Sequence, residues 1–515
     1  MTHPITPARA RHPRLNLAIS LAIVVAFAAA FMAPAEAGQK RPNVIFILTD
    51  DQRFDEIGLL NPLLETPHLD ELAREGAFFR NAFVTTALCS PSRATILTGQ
   101  YMHDHGIVDN NVGFREGTRF FPMYLDEAGY QTAFIGKWHM GGEGDAPQPG
   151  FDHWVSFAGQ GHYLPEQGGP GGTMLNVDGE RVPQKGYITD ELTDYALDWL
   201  GRSERDAPFF LYLSHKAQHS EFTPAERHDD QYAGVDIPPP PSQANTPENY
   251  AGKPMWVKNQ RNSWHGVDFP YHSTLDIEEY RRNYHRTLSA VDDSVGRLVA
   301  WLEEAGLADE TLVIYASDNG FLFGEHGLID KRNAYEESMR VPLIAWAPGL
   351  VAQPGERRQL VANLDIAPTI LAAAGLPPPP QFSGRSFLPL IEAGPGDVPW
   401  RDELLYEYYW EYNFPHTPTT FALRTARYKL IQYHGVWDVE EFYDLESDPR
   451  EMVNLIDSAD HRERIEDMRR RLYEMLAAAD GGHAIPYSRR DHGSAVLRSR
   501  DGAEAAEFPE KWLRP

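Results

Sequence analysis

The chain has 515 residues, with 47 Lys and Arg set against 74 Asp and Glu for a formal net charge of −27. Hydrophobic residues at 42% and charged residues at 23% are globular proportions, which exclude disordered, collagen-like and polytopic membrane chains. So acidic a surface does not wrap nucleic acid or coat an anionic membrane, so no nucleic-acid partner is expected and an anionic substrate must meet a local basic pocket.

Residues 1–37 read as an export signal. Arg9, Arg11 and Arg14 precede an apolar run from Leu17 to Ala33, and Ala35-Glu36-Ala37 offers a small-residue cleavage site. The expected location is periplasmic or extracellular, without stable membrane insertion. An uncleaved anchor is the alternative, although the run is slightly shorter than the roughly 20 residues a span needs. The chain carries one cysteine, Cys89, so internal disulfides cannot hold it together.

Beyond the signal, short apolar runs alternate with helical patterns, the signature of a mainly parallel sheet flanked by helices. Predicted strands are Val44 to Leu48, Thr132 to Ile135, Phe209 to Leu213 and Leu312 to Ala316. A helix is predicted from Thr66-Pro67 to Gly76, and another from Asp190 to about Leu200. In a longer one, Tyr280, Tyr284, Leu288, Val291, Val295, Leu298 and Leu302 recur at helical spacing, with Gly306 as the stop. Gly141 to Gly150, Gly168 to Gly172 and Pro238 to Pro241 read as surface loops.

After Pro377 to Pro380 the pattern changes to antiparallel-looking strands, Phe421 to Thr425 and Tyr428 to Tyr433, and an amphipathic helix near Arg462 to Ala478. The expected fold class is therefore α/β, with a smaller C-terminal α+β domain containing an antiparallel sheet. The expected division is a signal over 1–37, a catalytic domain over 38–397, the C-terminal subdomain over 398–480 and a polar tail over 481–515.

Polar residues follow the carboxyl ends of the predicted strands, the edge at which ligand sites gather in open α/β sheets. They are Asp50-Asp51, Lys137-Trp138-His139, His215 and His219, and Asp318-Asn319. Asp50, Asp51, Asp318 and Asn319 offer only oxygen donors, which suit Ca²⁺ or Mg²⁺ rather than zinc. His215 and His219 have the i, i+4 spacing of a zinc pair but lack an intervening Glu and an evident third ligand.

Cys89-Ser90-Pro91-Ser92-Arg93, followed by Ala94 to Gly99, resembles the type I sulfatases of the alkaline-phosphatase-like superfamily. Asp50-Asp51, Gly136-Lys137-Trp138-His139, Asp318-Asn319-Gly320 and Lys331 extend the resemblance, which runs from about Arg41 to Leu455 and includes Asp444-Leu445 and Asp448-Pro449. The resemblance implies a sulfuric ester hydrolase with the alkaline-phosphatase-like fold. It implies that Cys89 is converted to formylglycine (3-oxoalanine) by a formylglycine-generating enzyme, and that the hydrated aldehyde is the nucleophile. Asp50, Asp51, Asp318, Asn319 and modified Cys89 would ligate Ca²⁺, with Mg²⁺ possible. Arg93 and Lys137 would hold the hydrate, and His139 would take the proton of its second hydroxyl as sulfate is released. His219 and Lys331 would bind sulfate and protonate the leaving oxygen.

Many relatives carry Pro-His-x-Pro where this chain has Gln218-His219-Ser220-Glu221, which keeps His215 as a weaker candidate for the leaving-group residue. His326, in Gly324-Glu325-His326-Gly327, is a candidate substrate contact, and Tyr101, His103, His105, Asn110, Asn111 and Trp138 are candidate pocket residues. Leu88 to Arg93, His105 with Asn110-Asn111, Ser289 with Val291-Asp292-Asp293, and Asp330-Lys331-Arg332 resemble N-acetylglucosamine-6-sulfatases within the family. The implied substrate is a sulfated carbohydrate such as a 6-O-sulfated amino sugar. The Met255 to His272 stretch, with Trp256, Arg261, Trp264, His265 and Tyr271, is the expected selecting loop, because aromatic faces stack on sugar rings and Arg pairs with anions. The alternatives are a phosphohydrolase or phosphonate hydrolase of the same superfamily and a non-catalytic glycan-binding relative with an unmodified thiol.

Overall fold

In a computed structural model the described residues are 41–268, 276–394, 396, 398–434 and 438–479. The expected signal, the expected tail and Tyr271 lie outside them. Among the described residues no helix is long and apolar enough to cross a membrane.

Ten strands form the main sheet: β1 (Asn43–Thr49), β2 (Ala77–Phe79), β3 (Gln131–Lys137), β4 (His153–Phe157), β5 (Met174–Val177), β6 (Glu180–Pro183), β7 (Phe209–Ser214), β8 (Thr311–Ser317), β9 (Leu343–Trp346) and β10 (Gly355–Arg357). Their spatial order is β10-β2-β9-β8-β1-β7-β3-β4-β5-β6. The central four, β8, β1, β7 and β3, run parallel to one another. β9 is antiparallel to β8, and β5 and β6 form an antiparallel edge.

The central strands are unbroken apolar runs because both faces of the sheet are covered. Val44, Phe46, Leu48, Phe210, Tyr212, Leu312 and Ile314 enter the core on one face, while Ile45, Ile47, Leu211, Leu213, Val313 and Tyr315 enter the core on the other, which is the two-residue alternation of a strand made visible. The second face is covered by α1 (Pro67–Glu75), α3 (Ile188–Arg202) and α4 (Ile277–Glu304), whose apolar stripes supply Leu69 and Leu72, Leu192 and Ala196, and Leu288, Val291, Val295, Leu298 and Leu302. Asp276 caps α4 by accepting the Glu279 N–H at 3.0 Å. α1 has no cap of its own. Asp292 of α4 accepts the N–H groups of Leu69 and His68 at 2.8 and 3.3 Å and does that work from outside.

The first face holds α2 (Cys89–Thr98), all ten of whose residues are buried. It ends at Gly99, whose φ of 63° is left-handed and whose N–H closes on the Thr95 carbonyl.

A second sheet, β11 (Glu403–Tyr408), β12 (Thr420–Thr425), β13 (Tyr428–Tyr433) and β14 (Glu441–Asp444), is antiparallel throughout, as expected from the sequence. Leu405, Leu423, Leu430 and Phe442 pack on Ile465, Met468, Leu472 and Leu476 of α5 (Arg462–Ala478). The opposite face, with Leu404, Tyr406, Ala422, Ile431 and Tyr443, is continuous with the core of the main sheet.

Candidate active site

Because β8, β1, β7 and β3 are adjacent and parallel, their carboxyl ends share one edge. Asp50-Asp51 follow β1, Asp318-Asn319 follow β8, Lys137 closes β3 and Ser214 closes β7. α2 starts at the same edge, with the buried Cys89 thiol 3.6 Å from Asp50 Oδ1 and Lys331 Nζ 3.0 Å from the sulfur. Asn110 Oδ1 accepts the Ser90 N–H at 3.1 Å, satisfying a first-turn donor of this helix.

Carboxylate oxygens of Asp50, Asp51 and Asp318 lie within 4.8 Å of one another, all buried. Arg93 ties them together. Its Nε donates to Asp318 Oδ2 at 2.8 Å and its Nη2 to Asp50 Oδ2 at 3.1 Å, while Nη1 reaches the Lys137 carbonyl and Ser214 Oγ. The Lys137 ammonium pairs with Asp50 and Gln160, and that of Lys331 pairs with Asp51. Asn319 Nδ2 donates to Asp51 Oδ1 at 2.6 Å, which leaves Asn319 Oδ1 buried without a hydrogen-bond partner.

Burial alone would raise Asp50, but the charges of Lys137, Arg93 and Lys331 together hold its carboxyl well below the usual range. Asp51 is pushed up to about 7 by burial, against the pull of Lys331 and with the added repulsion of Asp50 and Asp318. Asp318 is raised by burial and by Asp50. The Cys89 thiol is pushed up to about 12 by burial and by the Asp50 charge. The crowded carboxylates and the orphaned amide oxygen form an oxygen-donor set that fits a hard divalent cation, and Asp50 also groups with Cys89 and His219 at metal-binding spacing.

Two histidines border the cluster. His219 donates from Nδ1 to the Ser220 carbonyl at 2.6 Å, leaving Nε2 4.0 Å from Asp51 Oδ2. His139 has Nδ1 3.5 Å from Ser90 Oγ and Nε2 3.1 Å from the Gln160 amide nitrogen. Burial lowers both imidazoles, with Lys137 the next contributor, so both rest neutral and able to accept a proton. Asp51 and His139 hold left-handed backbones, with φ of 59° and 54°, a conformation that concentrates at functional sites. Gly136, with φ 125°, is compelled: a Cβ there would lie 1.8 Å from the Ser214 carbonyl oxygen.

Sequence reasoning thus brings Asp50, Asp51, Cys89, Arg93, Lys137, His139, His219, Asp318, Asn319 and Lys331 to one place. Other candidates fall elsewhere. His215 turns its Nε2 to Ser294 of α4, 3.2 Å away, on the opposite face of the sheet from α2. His326 is buried with its ring 4.1 Å from that of Tyr335, and its backbone N–H donates to Ser242 Oγ at 2.9 Å. Trp138 packs among Phe120, Phe134 and Trp154 in the core. His103 pairs with Glu407, His105 with Thr95, the ring of Tyr101 lies 5.6 Å from that of His103, and the Asn111 backbone N–H donates to Asp109 Oδ1 in a turn.

The expected selecting loop divides. Met255–Gln260 is a helix that buries Trp256 and Val257, and Arg261 is engaged by Asp268, Tyr250 and the Gln243 carbonyl. Trp264 and His265 instead line an open apolar cavity of about 450 Å³ with Phe414 and His416, and His265 Nδ1 lies 3.1 Å from Asp330, the neighbour of Lys331.

Sequence reasoning missed Gln160, which bridges Lys137 and His139, and Lys216. Burial, with Lys137 nearby, lowers Lys216 to about 7, and its ammonium lies 4.8 Å from the centre of the Tyr163 ring. The signal for Lys216 was present: a lysine set between His215 and His219 straight after a fully apolar strand.

Residues 42–376 match the family model described as Sulfatase, and residues 324–478 match that of N-sulphoglucosamine sulphohydrolase, C-terminal. The chain is 34% identical over 498 residues to an N-acetylglucosamine-6-O-sulfatase of Bacteroides thetaiotaomicron, covering 86% of this chain and 87% of the relative. It is 33% identical to N-acetylglucosamine-6-sulfatase of Homo sapiens, over 75% of this chain and 71% of the relative. A solved structure, described as a complex with its substrate D-glucosamine-2-N,6-O-disulfate, superposes with a TM-score of 0.77 at 32% identity, covering 86% of this chain and 99% of that one.

Proposed function

The chain belongs to the sulfatase family of sulfuric ester hydrolases, and we propose that it removes sulfate from a sulfated carbohydrate, specifically a 6-O-sulfated amino sugar, at the Cys89 edge of the main sheet. The observation that carries this reading is the meeting of Cys89 with Lys331, Lys137, Arg93 and three clustered carboxylates. The relatives named for N-acetylglucosamine 6-sulfate and the neighbour bound to glucosamine 2-N,6-O-disulfate support the choice of sugar.

Asp50, Asp51, Asp318 and Asn319, with modified Cys89, would hold Ca²⁺ or Mg²⁺. When bound, such a cation withdraws charge from a sulfate oxygen. Conversion of Cys89 to formylglycine by a partner enzyme in an exported chain would supply a hydrated aldehyde as nucleophile. Arg93 keeps Asp50 and Asp318 in register and presents its charge beside position 89. Lys137, fixed by Asp50 and Gln160, and Lys331, fixed by Asp51, oppose the charge of a sulfate ester in a buried setting where each interaction is strong. His139, neutral and steadied by Gln160, accepts a proton from the nucleophile at its ring nitrogen. His219, with its Nδ1–H committed to Ser220, presents a proton-accepting Nε2 beside the sulfate, so the proton for the departing sugar oxygen comes from Lys331, whose pairing with Asp51 holds it protonated.

The test is sulfate release from N-acetylglucosamine 6-sulfate, an aryl sulfate and a phosphonate monoester, together with mass spectrometry of the Cys89 peptide. Expected are the largest kcat/KM for the sugar and an aldehyde at position 89. A dominant phosphonate activity, or full activity with an intact thiol, overturns the reading.

A further inference from the structure

At the same edge of the main sheet lies a second basic site that the proposed chemistry does not use. A cavity of about 430 Å³ is lined by Arg80, Arg340, Arg358, Arg424 and Arg427, with Glu336 and Glu446 as its carboxylates. Its place follows from topology. β9 is antiparallel to β8 with Leu343 opposite Ala316, so Arg340, just ahead of β9, sits beside the end of β8 that carries Asp318. β2 is antiparallel to β9 with Phe78 opposite Ile344, so Arg80, just past β2, returns to that edge. With strands about 4.8 Å apart, the step from β8 across β9 to β2 is about 10 Å. The Arg340 carbonyl accepts the N–H of Phe54, three residues beyond Asp51, and its guanidinium lies 4.4 Å from the centre of the Phe54 ring. Phe54 and Arg340 thus link the segment after Asp51 to the lining of the cavity.

The positive charge in this cavity is incompletely neutralised. Arg424 takes Glu336 with two hydrogen bonds at 3.0 and 3.1 Å, Lys429 shares that carboxylate at 3.0 Å while pairing with Glu451 at 2.7 Å, and Arg340 is left 3.7 Å from it. Burial, together with the neighbouring Arg424 and Arg80, lowers Arg340 despite Glu336. Arg427 is held by Asp444 and Glu446, and the exposed Arg358 by Glu356 alone. Arg80 makes no ion pair among the described residues. On a chain of net charge −27 such an island draws anions against the general field. Guanidinium groups are the donors that fit sulfate and carboxylate oxygens in pairs.

We propose that this arginine cavity binds a sulfate or carboxylate group carried by a neighbouring sugar of the same glycan whose sulfate ester occupies the Cys89 site. The inference rests on the glycan reading above. It deepens that reading from a single sulfated sugar to a sulfated chain held at two points, of which the second contributes affinity and register but no chemistry.

The test pairs Arg80→Ala/Arg358→Ala, which removes the two least committed guanidiniums, with the charge reversal Arg80→Glu. Calorimetry on Cys89→Ala protein, with and without the pair, uses a heparin-derived hexasaccharide, glucosamine 6-sulfate and inorganic sulfate as separate probes. Kinetics on the otherwise unaltered enzyme use the first two. The hexasaccharide should bind roughly tenfold more weakly to the double variant, more weakly still after charge reversal, and the difference should shrink with added salt. Its KM should rise by the same factor at constant kcat, with glucosamine 6-sulfate kinetics unchanged. Equal hexasaccharide affinity in all proteins overturns the proposal. So does a loss confined to inorganic sulfate, which would mark a free-anion site. If the unaltered enzyme releases sulfate from no sugar, the glycan reading fails, while the calorimetry still decides whether the cavity captures sulfated chains.

Discussion

Replacing Cys89 by alanine separates chemistry from architecture more sharply than any other single change. The thiol is fully buried, but it is small, and its polar neighbours do not depend on it: Lys331 keeps Asp51, and Asp50 keeps Lys137 and Arg93. Loss of one sulfur from a packed site costs about 1 kcal/mol in transfer and cavity terms. In a domain of this size that lowers Tm by no more than about 2–4 °C. If position 89 supplies the nucleophile, turnover falls by at least about 10⁴-fold, the scale on which removal of a covalent nucleophile acts. Sulfate release and a thermal melt on the same preparation check both halves. Activity within tenfold of the parent refutes the nucleophile assignment. A collapse of the melt shows instead that the thiol is structural and that the packing argument is wrong.

Exhaustive dialysis against a chelator should lower Tm and abolish sulfate release. Ca²⁺ or Mg²⁺ should restore both and zinc should not, and Asn319→Ala should weaken the calorimetric Ca²⁺ affinity by roughly tenfold or more. Asp292, pushed up to about 6 by burial despite its hydrogen bonds from Leu69 and His68, binds its proton more tightly folded than unfolded. Its contribution is therefore present below about pH 4 and is lost as pH rises through 6, a change of about 2–3 kcal/mol; Asp292→Asn should keep the cap and flatten that slope in urea titrations, and an unchanged slope rejects the assignment. Trp264→Ala should reduce kcat/KM for a sulfated sugar more than for an aryl sulfate, because the exposed indole lines the cavity next to Asp330 while the reacting groups are buried elsewhere. Equal losses on both substrates count against sugar selection by this residue.

The parts of the fold that the sequence made legible are those where burial is one-sided or total over a short run. β1, β3, β7 and β8 extend at most two residues beyond the apolar runs that predict them at either end, and α4 follows its stripe from Tyr280 to Leu302. α2 escaped because helical periodicity needs a wet face, and Cys89–Thr98 has none; with every residue buried, its sequence carries no stripe. β5 and β6 escaped for the opposite reason. At the antiparallel margin of the sheet, Glu180, Arg181 and Pro183 are exposed, so no apolar run marks them. Met255–Gln260 read as a loop because its aromatic and amide content looks like a sugar-binding surface, whereas Trp256 is spent on packing against Tyr433.

The acidic part of the site was legible from its place after the strands, and the reason is electrostatic, whereas Cys89, Arg93 and Lys331 were marked by the family resemblance. Acidic residues placed directly after buried strands cannot be explained by packing, since an ionised carboxylate leaves water only against compensating charge. Asp50, Asp51 and Asp318 therefore imply cations before any are located, and Arg93, Lys137 and Lys331 are those cations. The compensation is uneven. Asp50, facing Lys137 and Arg93, is held low, while Asp51 is left near 7 with Lys331 as its main support. Such a cluster is stable enough to fold and still short of positive charge on the side of Asp51 and Asn319, which is the side a divalent cation would complete. Gln160 and Lys216 were illegible by the same logic. An amide carries no charge to demand a partner, and Lys216 donates to the Ser220 carbonyl rather than to a carboxylate, so no acidic residue in the sequence calls for it.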